Sequence, residues 1–388
     1  VITAAPILVH LAMALSMAMA LGLSTVVLAA PPVQPVSPPR ETEALLTLHG
    51  FGRPVHDAAL DGVALKLTEA VASQPPARTA PEPVDLLLHI LAAAGITDAQ
   101  VFPFTLRHRT FVHFAEALPP FLARLDRTKP PTHYGLSTFV RGGQMVTTLV
   151  LVHRGVTLGR PIPRQSEPGG FVALKGDLLR GYFRPRLFVS PPGGARILER
   201  PAWTSERKVD TSVWFDAGPG VYGVEIVAES QYGPVVLHNA EVYVGVPVPN
   251  GPVARFEGLG ASAYDGPPDL ALGRMVNEQR AAHGLPPLRI WPELAQVALA
   301  HAAELDERRI LVHATASTGN LKTRLQTRGM RFTLAAENLA DAATPRQALA
   351  AFLASPGHKR NLLDPALTHM GVGVSGRAFV LAMVRLGP

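Results

Sequence analysis

Apolar positions along this chain change their period three times, and each change predicts a different kind of element. Residues 7–30 carry no Lys, Arg, Asp or Glu and are mainly apolar, until Pro31-Pro32 ends any helix begun there. Leu60, Val63, Ala64, Leu67 and Val71 then recur at intervals of three and four, which predicts a helix over 57–72. Val84 to Ala94 reads as a second helix, closed by Gly95, and Phe111 to Arg124 as a third that Pro119-Pro120 should interrupt or begin. Tyr134–Val140 and Met145–Val152, separated by Arg141-Gly142-Gly143, read as a β-hairpin. From 156 to 247 the period shortens. Runs such as Phe171–Leu174, Arg186–Val189, Ser212–Phe215, Gly220–Ala228 and Glu241–Val244 alternate with turns at Pro191–Gly194 and Gly218–Gly220. After Asp269 helical spacing returns at Leu272, Met275 and Val276, at Leu294, Val297, His301 and Leu305, and at Leu321 and Leu325. Thr344-Pro345-Arg346-Gln347 is a capping box with proline in the first helical position. Met370–Val374 and Phe379–Leu386 make a closing hairpin.

The predicted class is α+β. Residues 1–30 are expected to be a signal peptide, with Val27-x-Ala29 before the cut, or a membrane anchor, and 31–43 a Pro-rich linker. An α+β domain over 44–160 and a β-sandwich of immunoglobulin-like type over 161–247 follow. A linker over 248–268 leads to a second α+β domain over 269–388. At 388 residues and 47% hydrophobic content, the chain can fill two or three cores and is not a disordered class. The absence of cysteine excludes disulfides, thiolate metal sites and a lipidated cysteine. The net charge of +6 is spread out. Its densest run, Lys322 to Arg331, has no interleaved aromatics, so it reads as a solvated face and no nucleic-acid partner is expected. There is no Gly-x-Ser-x-Gly, no His-Glu-x-x-His and no phosphate-binding glycine loop.

The candidate chemistry comes from three segments: Leu311-Val312-His313, Glu337-Asn338-Leu339, and Ser355-Pro356-Gly357-His358-Lys359-Arg360-Asn361. His313, Glu337 and His358 are expected to converge in a pocket open to solvent. Two imidazoles and a carboxylate can hold zinc or another divalent metal with an open fourth position, act as an acid/base pair, or merely brace loops. All three readings stay open at this stage. Ser355 is placed to cap a short helix, and the positive end of that helix would favour a neutral His358. His301 reads as a core histidine and His369 as structural. Asn277, Asn338 and Asn361 are expected to bond loop backbone. Ser317 is near His313 in sequence only.

Residues 269–388 resemble the CAP superfamily (cysteine-rich secretory proteins, antigen 5 and pathogenesis-related group 1), in its bacterial branch. The matching text is Met275-Val276-Asn277-x-x-Arg280, Gly284-Leu285-Pro286-Pro287-Leu288, Trp291-Pro292-Glu293-Leu294, Ala298–Ala302, His313, Glu337-Asn338-Leu339, Ser355 to Leu363 and Gly371–Val374, all in order. The resemblance implies an α-β-α sandwich. It also implies a cleft lined by two histidines and up to two glutamates, to which His313, Glu337 and His358 correspond. The fourth, a glutamate, is not matched: the helix reads Phe352-Leu353-Ala354-Ser355. The family's cysteines are missing too. The function implied is an exported protein, secreted, periplasmic or envelope-associated, binding a metal ion or a small ligand in that cleft. A hydrolase of peptide or cell-wall substrates and a structural or adhesive protein are the alternatives. The partner expected is a small molecule, a lipid or an envelope component, with membrane contact only through residues 1–30. Finally, Thr132-His133-Tyr134-Gly135-Leu136 echoes Thr368-His369-Met370-Gly371-Val372, which suggests that 44–160 is a degenerate copy of the C-terminal fold without its site.

Overall fold

The computed structural model describes residues 2–3, 8–9, 39–73, 84–141, 143–193, 196–253 and 266–387. The expected signal or anchor over 1–30 lies outside the described residues, apart from the two-residue strands Ile2–Thr3 and Leu8–Val9. Among the described residues no helix is long and apolar enough to cross a membrane. The chain is α+β. The linker expected over 31–43 overlaps a helix, Pro39–Leu48, which is seated by the buried Thr42 and Leu46 one turn apart.

The first sheet has the order Leu8–Val9, Gln100–His108, Gln144–His153, His133–Arg141, Val55–His56. The last has the order Ile2–Thr3, Phe332–Asp341, Ala378–Leu386, His369–Ser375, Arg289–Ile290. Apart from the strands Ile2–Thr3 and Leu8–Val9, their central registers correspond. Val55 lies parallel to His133 and Arg289 parallel to His369. The Val55 N–H donates to Thr132 O (2.8 Å), as that of Arg289 does to Thr368 O (3.0 Å). Asp57 and Trp291 then each hold the N-cap position of the helix that follows, Ala58–Ala72 and Pro292–Arg308, Asp57 alone of the two accepting with its side chain, from the Ala59 N–H. Each helix crosses a glycine of the central hairpin, Gly135 under Leu60 and Asp61, Gly371 under Leu294 and Ala295, where a methyl group would overlap helix backbone. In the row of Gly371 and Ala382 stands Glu337; in the row of Gly135 and Val150 stands Pro103.

The strand Gln100–His108 has no counterpart in the periodicity reading, because Pro103 interrupts its pattern. Proline is tolerated there because, beyond Val101, this strand has among the described residues a ladder partner on one side only. Pro119 and Pro120 likewise lie within an unbroken helix, Phe111–Leu122. The carbonyls they leave without a helical donor belong to Ala115 and Glu116, on the half-buried and exposed side, where water can serve them.

The central segment forms two sheets around one core. The larger has the order Leu198–Pro201, Phe183–Ser190, Gly220–Ser230, Gly233–Val244, Gln165–Ser166; the smaller has Lys208–Trp214, Phe171–Leu178, Val156–Leu158. Tyr182, Leu187, Phe215, Tyr222, Val224 and Val236 fill the space between them. The N- and C-terminal modules share a single apolar cluster, in which Phe102, Phe114 and Tyr134 join Leu294, Leu305 and Leu311. The loop after the helix Phe111–Leu122 clamps Leu311 across this boundary. Asp126 Oδ2 accepts from the Leu311 N–H (3.1 Å), and Lys129 Nζ donates to Leu311 O (2.9 Å) and to Asp126. Both charges are buried and neutralise each other. The clamp fixes the backbone two residues before His313.

Candidate functional site at the Glu337 strand

Side chains alternate across the strand Phe332–Asp341. Ala335 and Leu339 enter the cluster shared with the N-terminal module, while Ala336 and Ala340 enter a second core with Phe352 and Leu362. Glu337 and Asn338 therefore serve opposite sides of the strand.

On the first side Glu337 meets His313 and Arg324. His313 Nδ1 lies 2.9 Å from Glu337 Oε2, and Arg324 donates to Oε1 at 2.5 Å. Arg324 also donates to the carbonyls of His313 (3.2 Å) and Gly319 (2.7 Å), fastening the loop to its own helix, Leu321–Thr327. Burial alone would raise the Glu337 carboxyl. The Arg324 guanidinium and the His313 hydrogen bond outweigh it and hold the group down at about 2. An ionised carboxylate only accepts, so His313 Nδ1 carries the proton and, in the neutral ring, Nε2 is an acceptor. That Nε2 is buried and has no hydrogen-bond partner among the described residues. His301 Nε2 donates to Val312 O (3.0 Å), and burial pushes its imidazole down to about 4, which fixes it as a neutral core group beside the loop.

On the other side Asn338 Nδ2 donates to the His358 carbonyl (3.0 Å), and Asn361 Nδ2 donates to Asn338 Oδ1 (3.0 Å). Ser355 caps the helix Pro356–Leu362 as expected, its Oγ accepting from the His358 N–H (3.2 Å). The His358 ring packs edge-on against Phe352. Asn277 bonds both backbone groups of Leu288, and His369 bonds Thr368 Oγ1. Ser317 is bonded to Glu304 and Arg308.

Two expectations change. The site is not open to water: His313 and Glu337 are each 1% exposed and His358 is 0% exposed. Nor is the run Lys322–Arg331 simply a solvated face, because Arg324 turns inward as the counter-charge of Glu337. Where a metal was expected, Glu337 meets His313 on one oxygen and Arg324 on the other. A guanidinium holds one carboxylate oxygen, and among the described residues no group of three His, Cys, Asp or Glu side chains is placed to hold a metal ion.

The cover comes from the central segment. The hairpin Gly220–Ser230/Gly233–Val244 reaches both histidine-bearing segments. Tyr232 O accepts from the Ala314 N–H (3.0 Å), and a Cβ on Gly233 would lie 2.9 Å from His313 Cβ. At the other end Glu225 accepts from Ser355 Oγ (2.6 Å) and from the Gly357 N–H (3.0 Å), while Gly223 lies against Pro356. Arg360 pairs with Glu199 (3.1 Å), and Asn239 Nδ2 donates to Ala354 O (3.1 Å). Sequence reasoning assigned this hairpin no role. A buried-strand glutamate between Val224 and Ile226 was the one available signal, since a carboxylate on an apolar strand needs a partner.

Residues 274–379 match the family model described as the cysteine-rich secretory protein family, CAP. The C-terminal part of this chain is a CAP domain. The uncharacterized protein YkwD of Bacillus subtilis is 31% identical over 100 residues, covering 26% of this chain and 39% of that protein. The uncharacterized membrane protein YlbC of the same organism is 31% identical over 112 residues, covering 29% and 32%. The chain thus spans well under two thirds of these relatives. Among solved structures, an extracellular protein containing an SCP domain from Bacillus anthracis is 18% identical, covering 56% of this chain and 89% of that one, with a TM-score of 0.30. Within the CAP domain, the Arg324–Glu337–His313 chain ties two segments, the His313 loop and the Arg324 helix, to one strand.

Proposed function

We propose that this is an exported, envelope-associated protein whose CAP domain recognises a ligand beside His313, with Glu337 orienting the imidazole and His358 on the flanking helix. The observation that carries the reading is His313 Nε2, a buried ring nitrogen whose ring is fixed by Glu337 and which has no partner among the described residues. Buried polar atoms are nearly always satisfied, so an unsatisfied one at a fixed orientation marks the place of a polar partner. Toward a neutral ring that partner donates an O–H or N–H. Export is supported by the uncharged apolar run 7–30.

Metal binding is the weaker version of this reading, because Arg324 already neutralises Glu337. Hydrolysis has less support still: Ser317, the hydroxyl nearest His313 in sequence, is engaged by Glu304 and Arg308. A bracing role for the same residues is favoured by one observation, their near-complete burial. The corresponding registers of the two outer sheets support reading 44–160 as a degenerate copy of the CAP fold, with Pro103 in the row of Glu337. The paired sheets of 161–247 support an immunoglobulin-like sandwich.

The test is thermal stabilisation by fractions of a bacterial envelope extract, since a ligand that binds only the folded state raises the unfolding temperature. Wild type is expected to be stabilised by a fraction that leaves His313→Phe unaffected. No fraction distinguishing the two would leave bracing as the role of the site. Elemental analysis of zinc-treated protein is expected to find no stoichiometric metal.

A further inference from the structure

The cover over His313 is itself polypeptide, and its chemistry is specific. The Ala314 N–H receives a main-chain carbonyl, that of Tyr232. The Tyr232 side chain packs against the apolar cluster that contains the clamped Leu311 and its neighbour Val312. The next residue, Gly233, touches His313 where a Cβ would come within 2.9 Å of the histidine Cβ, and its φ of +93° is one that glycine adopts without strain. An aromatic anchor, a carbonyl acceptor and a residue without a side chain thus meet the loop in sequence. The hairpin meets the CAP domain mainly through hydrogen bonds, and its second strand is also held to the N-terminal module, where the Asn239 N–H donates to Thr97 O (2.9 Å) and the Ala99 N–H to Leu237 O (3.3 Å); because its residues fill the core of the central domain, opening at His313 is a movement of that domain as a whole.

Resting on the reading that the cleft binds a ligand, we infer that its partner is a protein segment: a β-turn presenting an aromatic–glycine pair, whose place the Tyr232–Gly233 turn holds in cis. The resident hairpin is a tethered competitor. A tethered segment acts at an effective concentration near the millimolar range, so a partner in trans must compete with it, and its apparent affinity falls accordingly. The cleft then responds to release of the hairpin as well as to the partner.

The experiment uses the full chain and a fluorescent synthetic peptide of residues 220–244, with binding read by anisotropy. Tyr232→Ala removes the aromatic anchor while leaving the main-chain bond to Ala314, and Glu225→Lys removes the contacts at Ser355 and Gly357, neither touching His313; opening is read as faster hydrogen exchange at the Ala314 amide. Whichever variant opens is expected to bind the peptide at least about tenfold more tightly than wild type, a shift of 1.4 kcal/mol. A peptide carrying Gly233→Val is expected to bind neither. An open variant that does not bind the wild-type peptide overturns the inference. So does wild type whose Ala314 amide exchanges no faster in either variant, because the hairpin is then not a separable cover. Envelope fractions that stabilise wild type while the peptide fails leave the ligand reading standing without a protein partner; failure of both removes both.

Discussion

Arg324 and Glu337 form a buried ion pair, 2.5 Å between guanidinium nitrogen and Oε1, on the strand that carries the CAP domain's Glu-Asn peptide. Removing one member of such a pair leaves an uncompensated buried charge and typically costs about 3–5 kcal/mol. Arg324→Met is therefore expected to weaken hydrogen-exchange protection of the Phe332–Asp341 strand by that amount, with Glu337→Gln in the same chain recovering part of it. The pH dependence follows from the lowered carboxyl. A carboxylate with a depressed folded value contributes stability above its unfolded value, near 4.5, which is lost as pH falls through about 2. Wild type should lose protection of this strand progressively over that acid window, and the double variant should not. Equal acid sensitivity in the two would mean that Glu337 is not held ionised by its partners.

Glu225 titrates the other way. Burial raises its carboxyl to about 7, and the hydrogen bonds from Ser355 and Gly357 and the charge of Arg186 only partly offset this. A group whose folded value is raised contributes stability that is complete below its unfolded value and lost as pH rises through about 7. The groups around it are Arg186, itself paired with Glu199 and Glu229, and Arg360, also paired with Glu199. The hairpin should therefore detach from the helix Pro356–Leu362 more readily at pH 8 than at pH 6, read as susceptibility of that helix to hydrogen exchange. Glu225→Gln keeps both hydrogen-bonding ends and should flatten the profile. A profile unchanged by this substitution would assign the pH dependence to another group.

The helices of the C-terminal module were legible because capping residues and apolar spacing agree: Thr344 accepts from the Gln347 N–H, and the Gln347 side chain reaches back to the Ala343 N–H. His313 and Glu337 were legible as neighbours because short, unusual peptides carry them. Arg324 was not, since an arginine amid surface cations has no local mark of burial; only the tertiary position of Glu337 turns it inward. The strand Gln100–His108 was hidden by Pro103, whose tolerance depends on a tertiary fact, that beyond Val101 the strand has among the described residues a ladder partner on one side only. The cover over the site was illegible for a related reason. Gly233 and Tyr232 are ordinary turn residues in sequence, and their meaning lies in a contact about 80 residues away with the His313 loop.

The two outer modules also make a prediction about each other. Gly135 and Gly371 occupy corresponding rows of their sheets, each beneath the first turn of the crossing helix, with backbone so close that a Cβ would overlap it. A methyl group at either place must push a helix off its sheet, and overpacking of this kind costs about 1–3 kcal/mol or more. Gly135→Ala should therefore destabilise the N-terminal module about as much as Gly371→Ala destabilises the CAP domain. Gly62→Ala, on the N-terminal crossing helix itself with nothing within 4 Å of the new Cβ, should be neutral or stabilising. The measurement is hydrogen-exchange protection of the strands His133–Arg141 and His369–Ser375 in each variant. Similar losses in the two strands would show that one packing solution serves both modules. A large loss at Gly371 with none at Gly135 would mean that the helix Ala58–Ala72 rests on its sheet loosely and that the shared register is not matched by shared packing.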